Sequence, residues 1–255
     1  MTALIADYAG ASVRPSPNHG ERVDQRRPDA IVLHYTGMPD AGQALSWLCN
    51  VASQVSSHYF VYEDGRVIQL VPEARRAWHA GKSFWAGETD INSCSIGIEI
   101  ANPGHPGGLP EFPQAQIDAV AELCLDCGQR WQIAPQRVLG HSDIAPVRKV
   151  DPGENFPWRM LASRGVGHWV EPAPIGGGRF FQRGEAGQPI EALQSMLSLY
   201  GYGVEITGSF CDATEGAVAA FQRHFRPQRV DGIADISTID TLHRLLSSLP
   251  QYNLS

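Results

Sequence analysis

The sequence lacks any apolar run long enough to cross a membrane. No stretch approaches the roughly 20 consecutive apolar residues of a spanning helix. The amino-terminal segment also lacks the basic start, long apolar core and small-residue cleavage site of a secretory signal. We therefore expect no membrane span and a cytoplasmic location. A periplasmic or wall-associated location is the alternative if the native start differs.

Positive charge is also scarce. The chain has 20 lysine and arginine residues against 27 aspartate and glutamate residues, which gives a net charge of -7. Nucleic acid is therefore not an expected partner, because its phosphates attract basic surfaces. The 43% hydrophobic content is sufficient for a sizeable core, and 255 residues indicate one large or two unequal domains.

Cysteine is infrequent and irregularly spaced. The five cysteines are an odd number and do not form the pattern of a disulfide framework. Cys124 and Cys127 form a C-x-x-C pair inside an apolar helical pattern, with no second pair nearby, so we interpret them as core residues. A reduced, intracellular protein is the resulting expectation. Short metal motifs such as H-E-x-x-H are also missing.

One proline- and glycine-rich stretch, EPAPIGGGRFFQRGEAGQP at residues 171–189, marks the clearest change in composition. Such a stretch packs poorly and is typical of an interdomain linker. The sequence therefore predicts an amino-terminal extension at 1–24 and a larger domain at 25–170. A linker at 171–184 and a small domain at 185–255 complete the division.

The larger domain has the pattern of an α/β fold. Residues 30–36 form a continuous apolar run, which is typical of a strand buried on both faces. Residues 58–71 contain two strand-like runs around an Asp-Gly pair and predict a hairpin. Residues 94–102 form another buried run, and 113–131 have helical periodicity. We therefore expect a mixed central β-sheet flanked by helices.

The carboxyl-terminal region has a different pattern. Three segments place apolar residues at helical spacing, and they predict a compact domain of three short helices. Thr214 precedes the apolar face of the second segment and is predicted to cap that helix.

Five ionisable residues are candidates for chemistry. His34 ends a buried strand and is either a core histidine or a metal ligand. Glu99 interrupts the apolar run SIGIEIA, where a carboxylate is either a structural ion pair or a poised base. His141 and Asp151 flank a proline-rich loop, and together with His34 they could hold zinc and leave a fourth position open. Lys149 shares a face with Asp151 if that loop is extended. The competing interpretation is a surface loop with solvated charges.

Three further residues are candidates for contact with a substrate. His79 follows a tryptophan in the loop AWHAG, and Asn92 and Tyr35 complete the set.

Six sequence blocks occur in an order that resembles the type 2 zinc N-acetylmuramoyl-L-alanine amidases. These enzymes are related to phage lysozyme-like amidases and animal peptidoglycan recognition proteins. The resemblance covers about residues 25–160. Its blocks are IVLHYTG, SSHYFVYEDGRVIQLV, AWHAG, SIGIEIAN, VLGHSDIAP and RKVDPG.

The resemblance implies a set of site residues. His34, His141 and Asp151 would hold zinc, Glu99 would be the general base toward the attacking water, and Lys149 would stabilise the oxyanion. Some members have a tyrosine immediately before the hairpin histidine, where this chain has Ser57, so the base role falls to Glu99. Recognition-only relatives lack the third ligand. The presence of Asp151 therefore favours an active enzyme.

The carboxyl-terminal region resembles the peptidoglycan-binding type 1 domain, through segments such as LQSMLSLYGY and an ordered T-x-x-A-V-x-x-F-Q. The two resemblances imply zinc-dependent hydrolysis of the bond between N-acetylmuramic acid, or its anhydro form, and L-alanine in peptidoglycan fragments. Cell-wall recycling or turnover would be the purpose. The alternatives are an inactive peptidoglycan-binding protein, an exported amidase acting on intact sacculi, and a less well supported cysteine peptidase using Cys94.

Overall fold

The computed structural model describes residues 5–250. The first four residues of the predicted extension and the last five of the predicted helical domain lie outside this range. The chain divides into two compact units. The first comprises the chain up to Ser83, together with Asp90–His141 and Asp151–His168, and the second comprises Phe84–Thr89, Ser142–Val150 and the chain from Trp169 onward.

A six-stranded sheet lies at the centre of the first unit. Its strands are, in spatial order, β1 (Ala11–Val13), β5 (Val67–Gln69), β4 (Tyr59–Val61), β7 (Ser95–Ile100), β3 (Ala30–Tyr35) and β8 (Val138–Gly140). Only the β4–β5 hairpin is antiparallel, and the other four pairings are parallel. A separate ribbon pairs β2 (His19–Glu21) with β6 (Arg75–Ala77). The predicted mixed sheet and its hairpin are therefore confirmed.

The central strands β3 and β7 are buried along nearly their whole length. This burial explains their continuous apolar sequences, because parallel strands in the middle of a sheet are covered on both faces. The first unit also contains helices α1 (Ala41–Leu48), α2 (Ile91–Cys94), α3 (Gln114–Trp131) and α5 (Trp158–Ser163), and α4 (His141–Ile144) begins directly after β8.

The helix predicted over residues 113–131 is confirmed as α3. Its buried face includes Ile117, Val120, Cys124 and Cys127. Both cysteines are core residues, as expected from their position in the apolar pattern. Burial raises the pKa of the Cys124 thiol to about 12, so this thiol stays protonated near neutral pH.

The second unit contains three helices, α6 (Gln188–Tyr200), α7 (Asp212–Phe225) and α8 (Ile236–Ser247), and the short pair of strands β9 (Phe180–Phe181) and β10 (Ala234–Asp235). The predicted three helices are confirmed, but the predicted cap at Thr214 is wrong. Helix α7 begins at Asp212, two residues before Thr214, and Cys211 is its N-cap residue. Thr214 is buried, and its hydroxyl accepts a hydrogen bond from Gln194. Among the described residues, no helix is long and apolar enough to cross a membrane.

A buried carboxylate anchors the segment 142–150 within the second unit. Asp143 is fully buried, and its two oxygens accept hydrogen bonds from the Tyr202 hydroxyl and from Nδ1 of His224, each at 2.7 Å. Local sequence pattern does not reveal this pairing, because Tyr202 and His224 lie 59 and 81 residues after Asp143. Asp143 therefore connects its segment to helix α7 through His224. The same segment carries Lys149 and continues to Asp151.

A second buried carboxylate stabilises the first unit. The carboxylate of Glu73 pairs with Arg130 and accepts hydrogen bonds from the Trp131 indole and the Tyr59 hydroxyl. Burial acts to raise its pKa, but these hydrogen bonds outweigh burial and hold the pKa of Glu73 below its usual value. Stability from this group is therefore present above the usual carboxyl pKa and is lost as pH falls through the lower folded value.

We expect Glu73→Gln to lower the free energy of unfolding by about 3 kcal/mol at pH 7, because it leaves the Arg130 charge without its buried partner. The difference in unfolding free energy between wild type and variant should narrow as the pH falls below the usual carboxyl pKa, because the unfolded chain then takes up a proton on Glu73 before the folded protein does. Chemical denaturation of the metal-free protein at pH 7 and pH 3.5 measures this, with the exposed Glu63→Gln as control. An unchanged gap at both pH values would contradict the assignment.

Candidate metal centre

Two parallel strands bring the candidate histidines together. Strands β3 and β8 are adjacent, with Leu33 in register with Gly140, so the residues that follow, His34 and His141, lie at the same edge of the sheet. This edge is formed by the carboxyl ends of parallel strands, where α/β proteins commonly place their ligands. Asp151 lies ten residues after His141 and returns to the same point.

Three ligand atoms converge there. Nδ1 of His34 lies 2.9 Å from Nδ1 of His141, and Oδ2 of Asp151 lies 3.1 Å and 3.0 Å from these nitrogens. The three residues are 1%, 3% and 6% exposed. Among the described residues they form the single cluster of three or more histidine, cysteine or acidic side chains that could hold a metal ion.

The donor set fits a zinc ion. Two imidazole nitrogens and one carboxylate oxygen are ligands that Zn²⁺ accepts, and three protein ligands are the number found in catalytic zinc sites. Tetrahedral bonds of about 2.0–2.1 Å separate neighbouring ligand atoms by about 3.3 Å, close to the spacing found here. Burial acts to raise the pKa of Asp151, but His141 and His34 outweigh it and hold the pKa below its usual range. The carboxylate is therefore in the charged form that binds a cation.

The opposite nitrogens of both histidines also have partners. Nε2 of His34 lies 3.1 Å from Nδ1 of His79, and Nε2 of His141 lies 3.1 Å from the carbonyl oxygen of Ala80. The consecutive residues His79 and Ala80 thus contact His34 and His141, respectively, on the side away from the ion site. Ligating histidines commonly have such an outer hydrogen bond, which sets their tautomer and ring orientation.

Asn92 and Gly97 fix the position of this dipeptide. Oδ1 of Asn92 accepts the backbone N–H groups of both His79 and Ala80, at 3.0 Å and 2.9 Å. A Cβ atom at Gly97 would lie 2.4 Å from the ring of His79, so only glycine leaves space for that ring. Burial first, and then the neighbouring histidines His34, His58 and His141, lower the pKa of His79 well below its usual value. His79 is therefore neutral.

Glu99 lies beside the cluster in the sheet. It is in register with His34 on the neighbouring parallel strand, so both side chains project from the same face. Its side chain is partly exposed, whereas the remaining residues of β7 are buried. Ser57, which directly precedes the hairpin histidine, is fully buried and donates its hydroxyl hydrogen to the carbonyl of Tyr59 at 2.8 Å.

Lys149 belongs to the second unit and is partly exposed, with its backbone N–H bonded to the carbonyl of Ala145 at 2.9 Å. Tyr35 belongs to the first unit and contacts His105. Its hydroxyl lies 3.0 Å from Nδ1 of His105, and Nε2 of the same ring lies 3.1 Å from Glu154. The side chains of Tyr35, His105 and Glu154 thus connect loop 103–109 with the turn after Asp151. The sequence pattern does not indicate these contacts.

The chain matches two family models. Residues 24–154, just over half of the chain, match the N-acetylmuramoyl-L-alanine amidase family, and residues 186–242 match a putative peptidoglycan-binding domain. The chain therefore belongs to the N-acetylmuramoyl-L-alanine amidase family and is a hydrolase of that class.

Two relatives illustrate the sequence similarity. The N-acetylmuramoyl-L-alanine amidase AmiD of Escherichia coli (strain K12) is 38% identical over 240 residues, which cover 88% of this chain and 84% of the relative. The 1,6-anhydro-N-acetylmuramyl-L-alanine amidase AmpD of the same strain is 33% identical over 175 residues, which cover 61% of this chain and 93% of the relative.

Solved structures agree with this fold. The structure of E. coli AmiD in complex with anhydro-N-acetylmuramic acid-L-Ala-D-γ-Glu-L-Lys matches with a TM-score of 0.76 and 37% identity, over 89% of this chain and 91% of that one. Pseudomonas aeruginosa AmpDh3 in complex with anhydromuramic pentapeptide matches with a TM-score of 0.69 and 29% identity, over 95% of this chain and 98% of that one.

Proposed function

We propose that the protein is a zinc-dependent amidase that cleaves the bond between the lactyl group of N-acetylmuramic acid, or its anhydro form, and L-alanine in peptidoglycan fragments. The convergence of His34, His141 and Asp151 at one buried point, in a chain of the amidase family, is the observation that carries the proposal. These three residues would hold the ion. When bound, zinc polarises a carbonyl and lowers the pKa of a bound water from about 16 to about 7.

Glu99 is the general base of this proposal. Its carboxylate accepts a proton from the attacking water and then delivers a proton to the leaving nitrogen of L-alanine, which cannot depart as an anion. Its support is its position beside His34 on the adjacent strand and its partial exposure within a buried strand. Ser57 has no proton-accepting chemistry of this kind, and its hydroxyl is engaged with the backbone.

Lys149 is the proposed oxyanion partner. A fixed positive charge near the scissile carbonyl stabilises the negative charge that develops on its oxygen, an effect commonly worth about 3 kcal/mol. The resemblance to the amidases supports this role, as does the position of Lys149 two residues before Asp151 in the chain. Tyr35 is the residue that we propose for substrate contact, because it is the last residue of β3, at the same edge of the sheet as His34, and is partly exposed.

Soluble anhydro-muropeptides are the proposed substrate, and cell-wall recycling is the proposed purpose. Two relatives with TM-scores of 0.76 and 0.69 were solved with anhydromuramic peptides bound. The match of residues 186–242 to a putative peptidoglycan-binding domain supports contact with the same class of polymer. Intact sacculi are the competing substrate. The cytoplasmic location expected from the sequence stays a prediction that fractionation of cells producing the native protein can check.

Two measurements on the purified protein test the proposal. We expect about one zinc ion per chain and release of a peptide with a free L-alanine amino terminus from an anhydro-muropeptide. A chelator should abolish the release, and added zinc should restore it. Zinc-containing protein that binds the muropeptide without cleaving it would instead support an inactive binding protein.

The position of Cys94 disfavours the alternative in which this residue is the nucleophile of a cysteine peptidase. Cys94 is fully buried directly before the amino end of β7, whereas His34 lies near the carboxyl end of β3 and His141 directly follows β8. Activity that survives thiol alkylation and is lost in chelator would exclude it.

A further inference from the structure

The outer hydrogen bonds of the histidine ligands have a defined direction. Nδ1 of His34 faces the ion site and must be unprotonated to bind a cation, so the ring proton is on Nε2. That N–H donates to Nδ1 of His79 at 3.1 Å, which makes Nδ1 of His79 an acceptor and places the proton of this neutral ring on Nε2.

The next links have the same direction. Nε2 of His79 lies 3.2 Å from the hydroxyl of Ser95, which donates its own hydrogen to the carbonyl oxygen of Ile91 at 2.6 Å. Each group in this chain donates once and accepts once. The carbonyl oxygen of Ile91 can only accept, so it sets the direction of every hydrogen bond in the chain. As a result, the ring proton of His34 is on Nε2 and the lone pair of Nδ1 faces the ion site.

His141 receives equivalent support from the adjacent residue. Its Nε2–H donates to the carbonyl of Ala80 at 3.1 Å and leaves Nδ1 for the ion. The partners of both ligands are thus supplied by one dipeptide, and Asn92 accepts both of its backbone N–H groups. Asn92 is 8% exposed and His79 is 8% exposed, so neither presents a large surface to a substrate.

We propose that His79 and Asn92 are positioning residues of the metal centre. His79 fixes the tautomer and ring orientation of His34, and Asn92 holds the His79–Ala80 dipeptide so that it contacts both histidine ligands at once. The proposal rests on the proposed zinc-dependent function. It assigns these two residues to the support of the ligands, in place of the substrate contact expected from the sequence.

Two matched pairs of variants test the proposal by zinc affinity, measured in competition with a chromophoric chelator. We expect His79→Leu to weaken zinc binding by about 10- to 100-fold, the usual effect of losing an outer partner. His79→Asn should stay within about threefold of the wild type, because Oδ1 of asparagine can accept the His34 hydrogen in place of Nδ1. Asn92→Ala should weaken binding by at least about 10-fold, whereas Asn92→Asp retains the accepting oxygen and should bind at least as tightly as the wild type.

The cobalt-substituted proteins provide a second measurement that a general loss of stability would not alter. We expect the visible absorption bands of Co²⁺ to shift in His79→Leu and Asn92→Ala and to resemble the wild type in the two conservative variants. Equal zinc affinity and equal spectra within each pair would overturn the proposal. If one variant does not fold, the other pair decides. A wild-type protein that binds no zinc would instead refute the proposed function, so the two failures are distinguishable.

Discussion

Replacing Asp151 with alanine is expected to leave the purified protein without zinc and to lower kcat/KM on an anhydro-muropeptide by about 10⁴-fold, or about 5 kcal/mol. The physical reason is the composition of the cluster. Asp151 is the one acidic residue of the cluster and supplies its negative charge. Its Oδ2 lies 3.1 Å from Nδ1 of His34 and 3.0 Å from Nδ1 of His141. Two neutral imidazoles alone leave a divalent cation in a buried site without charge compensation.

Metal content after dialysis against a weak chelator measures this directly, and His34→Ala should have the same result. The control is Glu154→Ala, which removes the carboxylate three residues after Asp151 that contacts His105. We expect that variant to retain its zinc. A stoichiometric zinc content in Asp151→Ala would show that the ion binds elsewhere.

The three residues of the candidate metal cluster could be singled out in the sequence because each is marked by its local pattern. His34 lies at the end of an uninterrupted apolar run, and His141 and Asp151 flank a segment that contains Pro146 and is followed directly by Pro152. The sheet then brings the two histidines together through the parallel pairing of β3 with β8. Patterns of single strands predicted the sheet, but the order of its strands depends on pairings between distant segments that no local pattern contains.

The contacts around the two candidate histidines could not be predicted for the same reason. The space for the His79 ring exists because Gly97, on a strand 18 residues later, lacks a Cβ. Likewise, the buried environment of Asp143 depends on Tyr202 and His224, which are 59 and 81 residues away. A cue was available in the sequence, since a glycine inside the apolar run SIGIEIA indicates that another group approaches the strand closely.

The Thr214 prediction failed for a related reason. Threonine is a common capping residue, and its position before an apolar face fits that role. The structure instead buries its hydroxyl against the side chain of Gln194, which also donates to the carbonyl of Ser209. A contact between two helices thus determines the role of this residue, and helical periodicity does not identify such contacts.

Glu99→Gln is expected to lower kcat by about 10²- to 10⁴-fold while zinc content and KM stay close to those of the wild type. Glutamine matches glutamate in size and can occupy the same place beside His34, but its amide cannot accept and return the proton. The measurement is steady-state release of peptide from an anhydro-muropeptide by protein of known zinc content.

Glu122→Gln, which alters an exposed glutamate on α3, is the control and should retain full activity. Full turnover by Glu99→Gln would exclude Glu99 as the base. A loss of both zinc and turnover would show that Glu99 acts through the metal site, because a base that only transfers protons leaves the ligands intact.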